Sequence, residues 1–268
     1  MTTFVPRLLF AAVYAGSPCL LGAQRAPDDT SKTFFVRHDL TLTAIGIAST
    51  VIVSTFDKRI AHYAQGPSVQ TSSRTSIVKG LTHVNETTLT AASIIGFGLG
   101  RLTHSPTVGD VSLHTGEAVV LTSVVSQLIR GPLGRERPSL TTDPYKFDAG
   151  KGFTHFDNRS FPSLHSATAF AAASAISSEI HERNPNASWI VTPLLYGAAA
   201  IPGLTRVYLN QHWASDIFAG AFVGTMLGTR VVHYAHTHQR NKFDRALLGV
   251  SLVPNARGGV DVSYSIQP

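Results

Sequence analysis

Apolar residues occur along the chain in blocks that are separated by short polar or turn-forming stretches. The blocks are rich in Ala, Leu and Ile and continue for more than ten residues, which is typical of helices that pack into a core. The sequence therefore predicts an all-α fold, a bundle of about six helices. The predicted helices are Leu40–Phe56, Leu89–Leu102, Ala118–Ile129, Ala167–Ile180, Trp189–Leu204 and Ile217–Val232.

The last part of the chain has a different pattern. Ala246–Pro254 and Val260–Ile266 alternate apolar and polar residues on either side of a turn-forming run that begins at Asn255. Alternation with a period of two around such a run is typical of a β-hairpin. We therefore expect a helical domain over residues 39–238, followed by a C-terminal extension over residues 239–268 that forms a short β-hairpin.

The N-terminus has the pattern of a secretory signal. Arg7 precedes the mostly apolar run Leu8–Leu21, and small residues follow that run. The sequence predicts a signal peptide over residues 1–23, with an uncleaved membrane anchor as the alternative, and a flexible stretch over residues 24–38. The only cysteine, Cys19, lies in this signal, so a cleaved product would contain no disulfide and no thiol nucleophile.

Composition points to helices that pack against one another or against lipid. Charged residues make up 14% of the chain, against about 25% in soluble proteins, and the mean hydropathy is +0.11. Each apolar segment is nevertheless shorter than the ~20 apolar residues of a comfortable membrane span. A membrane-spanning bundle and a soluble bundle therefore both remain open.

The net charge of +6 suits anionic substrates or an anionic membrane surface. Nucleic acid is not an expected partner, because the chain has no Lys/Arg run and no basic helical stripe with interleaved aromatic residues. His233, His236 and His238 lie close together, but no carboxylate or cysteine beside them in sequence completes a ligand set. We therefore expect a solvated helix end there rather than a metal site.

Three short motifs follow one another, each beside an apolar segment. They are Arg-Gly-Pro-Leu-Gly-Arg-Glu-Arg-Pro from Arg130 to Pro138, Ser-Phe-Pro-Ser-Leu-His-Ser-Ala from Ser160 to Ala167, and Thr-Arg-Val-Tyr-Leu-Asn-Gln-His-Trp-Ala-Ser-Asp from Thr205 to Asp216.

The first two motifs have the residue types of an anion site. Arg130 and Arg137 flank a turn after a helix, and guanidinium groups bind phosphate oxygens in pairs. Ser163 is placed to cap the next helix, whose N-terminal N–H groups favour a bound phosphate. His165 would lie in the first turn of that helix, where nearby positive charge suits it to act as a general acid.

The third motif supplies a candidate nucleophile. His212 and Asp216 are four residues apart and share one face of a helix that begins at or before His212. A carboxylate bonded to Nδ1–H leaves Nε2 of the imidazole free as a nucleophile. Arg206 precedes the pair and can add a third guanidinium. Each residue alone is more often a cap or a surface hydrogen bond, and the joint occurrence of the motifs favours a phosphate cradle.

These motifs resemble the three-part signature of the PAP2 (type 2 phosphatidic acid phosphatase) superfamily, which reads K-x6-R-P, P-S-G-H and S-R-x5-H-x3-D. The resemblance implies that His212 attacks phosphorus, that Asp216 orients it and that His165 protonates the leaving oxygen. It further implies phosphate binding by Arg130, Arg137, Ser163, the backbone at Leu164 and Arg206, with no metal or cofactor.

The chain departs from the signature at three positions. Arg130 replaces a lysine and keeps the charge, and Thr205 replaces a serine and keeps the hydroxyl. Leu164 stands where glycine is usual, and we expect its side chain to crowd one edge of the pocket. None of these changes removes a charged or proton-transferring residue, so we expect an active enzyme.

The charge pattern predicts where the site faces. If the last four apolar segments cross a bilayer, the three motifs lie on one side, and Arg240, Lys242 and Arg245 lie on the other. Basic residues favour the cytoplasm, so the site would face the periplasm. A cleaved signal followed by six spans would also put the C-terminus outside, which conflicts with this bias and leaves the number of spans open. A soluble periplasmic or secreted protein is the alternative localisation.

The leading hypothesis is a phosphatase of the cell envelope that acts on lipid phosphates or isoprenoid pyrophosphates, with a membrane as its partner. A secreted acid phosphatase that takes small phosphate esters is the first alternative. A vanadate-dependent haloperoxidase and a non-catalytic phosphate-binding envelope protein are further alternatives. A metallo-hydrolase built on His165, His212 and Asp216 is disfavoured, because three guanidinium groups repel a cation. The sequence indicates no oligomeric state.

Overall fold

The computed structural model describes residues 33–238, together with the backbone of residues 250–254 and 260–264. Eight α-helices lie in these ranges: α1 (Arg37–Ser54), α2 (Asp57–Ala64), α3 (Ser72–Leu81), α4 (Glu86–Leu102), α5 (Pro106–Leu133), α6 (Leu164–Arg183), α7 (Pro185–Tyr208) and α8 (Ala214–Thr237). Two short 3-10 helices, Lys151–Phe153 and Phe156–Asn158, lie between α5 and α6. The predicted signal peptide or anchor, and most of the flexible stretch after it, lie outside the described residues.

The all-α fold class is confirmed, and the described part of the chain contains more helices than the apolar blocks predict. The first block corresponds to α1, and the short helix α2 follows directly after the block, with its axis bent by 55° from that of α1. The third helix, α3, has no apolar block and begins with a polar cap, in which the side chain of Thr71 accepts a hydrogen bond from the N–H of Arg74. The fifth helix, α5, is much longer than its apolar block. It begins at Pro106, because proline is favoured in the first turn of a helix.

The C-terminal extension contributes two five-residue strands, β1 (Val250–Pro254) and β2 (Val260–Tyr264). They pair antiparallel, with Val250 opposite Tyr264 and Pro254 opposite Val260. Both strands lie within the two segments whose alternation predicted a hairpin. Residues 255–259, which connect them, lie outside the described residues.

Helix α6 forms the centre of the bundle and packs against α5, α7 and α8. Its contact with α8 depends on a stripe of small residues. Gly220, Gly224 and Gly228 follow one another at four-residue spacing on α8, and a Cβ atom at any of them would clash with a backbone carbonyl oxygen of α6 or of its N-cap residue. The absence of side chains along this face lets the two backbones approach closely, which brings the first turns of both helices together.

Replacement of Gly224 by leucine is expected to destabilise the bundle by at least about 1–3 kcal/mol, because a side chain there meets the carbonyl of Ala167, which belongs to a packed helix and cannot move aside. Thermal unfolding of the purified protein measures the loss. Gly197→Leu is the matched control, because Gly197 is exposed and a Cβ atom there has open space around it. Equal unfolding temperatures for the two variants would contradict the close α6–α8 contact.

Large apolar side chains cover much of the outer surface of α1, α4 and α7. The exposed residues on these helices include Leu40, Ile45, Ile47, Val51, Ile52, Ile94, Ile95, Leu99, Trp189, Ile190, Leu194, Ile201 and Leu204. In the described part of the chain, α7 is long and apolar enough to cross a membrane, and the bent pair α1–α2 also meets that test if it is taken as one span.

Candidate active site

The three motifs meet at one end of the bundle. The last turn of α5, the first turn of α6, the last turn of α7 and the first turn of α8 lie together there. Direct contacts join them: the N–H of Ser163 donates to the backbone oxygen of Asp216 over 3.0 Å, and His165 contacts Arg206. These contacts join the second motif to the third.

Two of the arginines are linked through one glutamine. Nη1 of Arg137 donates to the backbone oxygen of Gln211 over 3.3 Å, and Nη1 of Arg206 donates to its side-chain oxygen over 2.7 Å. The Nε atoms of both arginines are buried and have no hydrogen-bond partner among the described residues. Buried donors in proteins are nearly always paired, so these two N–H groups fit an oxyanion held between them.

Arg130 lies at the same end but is partly engaged by the protein. Its Nε donates to the backbone oxygen of Arg159 over 3.0 Å, and its Nη2 contacts the same oxygen. Burial and the neighbouring charge of Arg137 lower the pKa of Arg130 to about 10. It still carries its charge at neutral pH, and an anion nearby would relieve the repulsion between the guanidinium groups.

His165 faces the arginines from the first turn of α6. Its Nε2 lies 2.6 Å from Nη2 of Arg206, which makes this ring nitrogen the acceptor. Burial, followed by the charges of Arg206, His212 and the other two arginines, lowers the pKa of His165 to about 3. The direction agrees with the expectation from the sequence, because positive charge around the ring makes its proton easier to release.

His212 and Asp216 are both buried, but they approach rather than form a well-aligned hydrogen bond. Nδ1 of His212 lies 3.4 Å from Oδ2 of Asp216, without the alignment of a hydrogen bond. Burial lowers the pKa of His212 to about 4, against the opposing effect of Asp216. The imidazole is therefore neutral at pH 7, as a nucleophile must be. Catalytic hydrogen bonds are often long in ligand-free structures and tighten when substrate binds.

Ser163 is the N-cap residue of α6, as predicted, but its side chain makes no capping hydrogen bond. Its Oγ is buried and has no partner in the described part of the chain, so the hydroxyl is available to an anion. Leu164, the first residue of α6, is only 5% exposed. The helix N-terminus presents its free N–H groups at this end of the bundle, next to the arginines.

A second layer of buried charge holds Asp216, and the sequence analysis missed it. Nη1 of Arg135 donates to Oδ1 of Asp216 over 2.5 Å, and its Nη2 donates to Asp57 over 2.8 Å. Ser160 donates to Oδ2 of Asp216 over 2.5 Å, and Ser215 donates from both its N–H and its hydroxyl to Asp57. Burial alone would raise the pKa of Asp216, but Arg135 and His212 bring it below its usual value.

Parts of this layer carried a signal in the sequence. Arg135 lies inside the first motif, between two arginines that were assigned to phosphate. Asp57 is an acidic residue directly after an apolar block, a position where a carboxylate is not needed for solubility. Asp57 and Ser215 are 158 positions apart in the sequence, so their contact could not be predicted from a local pattern.

A family model matches the part of the chain that contains the three motifs. Residues 112–240 match the family model of the PAP2 superfamily. A lipid A 1-phosphatase from Porphyromonas gingivalis is 42% identical over 69 residues, which are 26% of this chain and 15% of that protein. The chain thus matches only a small part of that relative. The crystal structure of a transmembrane PAP2-type phosphatidylglycerolphosphate phosphatase from Bacillus subtilis has a similar fold, with a TM-score of 0.52, 20% identity and coverage of 75% of this chain and 98% of that chain.

Proposed function

Because residues 112–240 match the family model of the PAP2 superfamily and contain all three motifs, we propose that the protein is a phosphoric-ester hydrolase of this superfamily that works through a phosphohistidine on His212. One observation carries the proposal: three arginines, two histidines and a buried serine hydroxyl meet at one end of the bundle. Three donors of the cradle, Nε of Arg137, Nε of Arg206 and Oγ of Ser163, are buried without a partner among the described residues. An anion with several oxygens is the ligand that such a set of donors fits.

In the first step, Nε2 of His212 attacks phosphorus, and a P–N bond forms as the P–O bond to the leaving group breaks. His165 gives its proton to the leaving oxygen. Arg137, Arg206 and the hydroxyl of Ser163 hold the phosphoryl oxygens, whose charge grows as the reaction proceeds. Asp216 stabilises the imidazolium through Nδ1–H, and Arg135 keeps Asp216 ionised.

In the second step, water attacks the phosphohistidine. Neutral His165 accepts a proton from the water as the new P–O bond forms and the P–N bond breaks. Free phosphate leaves and His212 returns to the neutral state, and His165 releases its proton with the phosphate and takes one up again when the next substrate binds. The protein's own side chains supply every proton transfer in this scheme.

The shape of the bundle favours a lipid phosphate as substrate. Helix α7 ends at the site with Arg206 and presents exposed apolar side chains along its length, including Ile201 and Leu204. A lipid could place its tail along this face while its phosphate reaches the arginines. We therefore propose a location in the membrane of the cell envelope, with the site on the periplasmic side.

Phosphate release in excess EDTA tests the proposal, with phosphatidic acid, an isoprenoid pyrophosphate and a small aryl phosphate as substrates. We expect turnover that survives EDTA and is fastest with a lipid substrate in mixed micelles. Preference for the aryl phosphate, without dependence on detergent, would instead support the soluble acid phosphatase. The observation that α7 is the only single described helix to meet the criteria for a span favours that second candidate. Loss of all activity in EDTA would overturn the mechanism.

Binding of a dianion is expected to drive proton uptake by His165. Its pKa of about 3 in the ligand-free protein leaves the ring neutral at about pH 6. A sulfate held by the same arginines offsets their charge and raises this pKa, so the protein takes up protons as sulfate binds. Calorimetry of sulfate binding at about pH 6, in two buffers that differ in ionisation enthalpy, measures the number of protons.

The variant His165→Gln separates the contribution of this residue from that of His212. We expect it to bind sulfate with a smaller proton uptake than the wild type. A binding heat of the wild type that is the same in both buffers would contradict the proposed coupling between the arginines and His165.

A further inference from the structure

A second cluster of ionisable side chains lies at the opposite end of the bundle from the candidate active site. It consists of His114 on α5, Glu179 on α6 and His236 on α8, which together are called the distal cluster below. Glu179 lies 14 residues after His165 on the same helix, or about 21 Å along its axis. The proposed phosphatase chemistry makes no use of these three residues.

The three residues converge on one carboxylate oxygen. Nδ1 of His114 contacts Oε1 of Glu179, and Nε2 of His236 lies 3.0 Å from the same oxygen. The two rings are 6.0 Å apart between centroids, and the three candidate ligand atoms lie within 4.8 Å of one another. His236 lies in the last turn of α8 and is partly exposed, as expected of a solvated helix end, but a carboxylate that the sequence did not place there reaches it from another helix.

Neighbouring charged groups hold the carboxylate of Glu179 in place and leave the distal cluster with a net negative charge. Arg183 pairs with Oε2 of Glu179, on the side away from the histidines, and with Asp110 over 2.9 Å. With neutral imidazoles, the two carboxylates and one guanidinium sum to a net charge of −1. Glu179 is fully buried, whereas the side chain of His236 is 37% exposed, so the cluster is open to solvent on one side.

Two imidazoles and a carboxylate are a ligand set that suits Zn²⁺ and related divalent transition metals. Ligand atoms around a tetrahedral zinc ion are about 3.4 Å apart, as follows from bond lengths of about 2.1 Å. Nδ1 of His114 and Nε2 of His236 both lie closer than this to Oε1 of Glu179, so both imidazoles move away from the carboxylate when an ion enters between the three ligand atoms. The exposed side at His236 leaves room for water as a fourth ligand.

We propose that the distal cluster binds one divalent transition-metal ion of the zinc type, which ties α5, α6 and α8 together at the end of the bundle away from the active site. The ion has a structural role. It adds no group to the proposed hydrolysis, because about 21 Å separates the two sites along α6. EDTA is therefore expected to lower the thermal stability of the protein while it leaves turnover in place.

Metal titration of the full-length protein tests the proposal. The protein, free of affinity tags, is first stripped with EDTA and then titrated with Co²⁺, whose visible absorption reports tetrahedral coordination, with Zn²⁺ as the competitor. We expect one metal ion per chain. His114→Ala and His236→Ala each remove a ligand, and each should weaken metal binding by more than about 100-fold. Loss of a residue that only supports a ligand typically weakens metal binding by about 10–100-fold.

His233→Ala is the matched control, since His233 lies one turn before His236 on the same helix and outside the distal cluster. Full binding by this variant and by His212→Ala is expected. Because His236 is partly exposed, its variant should fold even if His114→Ala does not. Absence of bound Co²⁺ in the wild type, or equal binding by His236→Ala, would overturn the proposal and leave Glu179 as a hydrogen-bonded buried acid. Binding lost in His212→Ala but kept in His236→Ala would move the metal to the active site and overturn the proposal equally.

Discussion

The variant His212→Ala is expected to lose at least about 10⁴-fold in kcat while it folds normally. Removal of a covalent nucleophile usually leaves only the rate enhancement that comes from binding and charge stabilisation. That remainder is a small part of the enzyme's total rate enhancement. His212 is the buried, neutral imidazole that faces the arginines, and Asp216 lies 3.4 Å from its Nδ1. Phosphate release under saturating substrate, together with thermal unfolding, separates loss of chemistry from loss of fold.

Quenching in base, where a phosphohistidine survives, makes the test specific for the covalent step. With a labelled phosphate ester, the wild type should yield a protein-bound phosphate that is stable to base and labile to acid, and His212→Ala should yield none. His233→Ala serves as the control for removal of a histidine elsewhere. Turnover within about tenfold of the wild type in His212→Ala would exclude His212 as the nucleophile. A phosphate trapped on His165 would reverse the two proposed roles.

The helical fold and the meeting of the three motifs could be predicted from the sequence because both depend on local patterns. Apolar blocks marked the long helices, and the motifs lie at helix ends. Residues at the end of one helix and at the start of the next must lie on the same side of an antiparallel bundle. Arg130, His165 and His212 were therefore placed together by the order of the helices alone.

Contacts between residues far apart in sequence could not be predicted in this way. Asp57 reaches Arg135 and Ser215 because the chain bends between α1 and α2, and the apolar block that ends at Phe56 shows nothing of the direction that the chain takes after it. Glu179 and His236 meet because the glycine stripe on α8 fixes how that helix lies against α6. Both contacts follow from packing geometry. An apolar block predicts that a helix exists, but it does not predict how that helix is rotated about its own axis against its neighbours.

Arg135→Met is expected to lower both stability and turnover, because one guanidinium neutralises two buried carboxylates. Arg135 is 2% exposed, and its partners Asp57 and Asp216 have fully buried side chains. Breaking a buried ion pair by removing one partner typically costs about 3–5 kcal/mol, since the remaining charge is left uncompensated. Thermal or denaturant unfolding measures this loss, with Lys151→Met as the control for an exposed cation paired to Asp148 in the same connection.

A readout beyond stability is needed, because any large buried residue affects folding. Arg135 brings the pKa of Asp216 below its usual value, and without it that pKa should rise. Asp216 must be ionised to stabilise the imidazolium of His212, so the acid limb of the pH profile of kcat is expected to shift to higher pH in Arg135→Lys. Lysine keeps the charge, and this variant should fold better than Arg135→Met, but it lacks the planar fork that reaches both carboxylates.

An unshifted acid limb in a folded Arg135→Lys protein would restrict Arg135 to a structural role. A shifted limb would assign it the positioning of Asp216, and through Asp216 the orientation of the nucleophile.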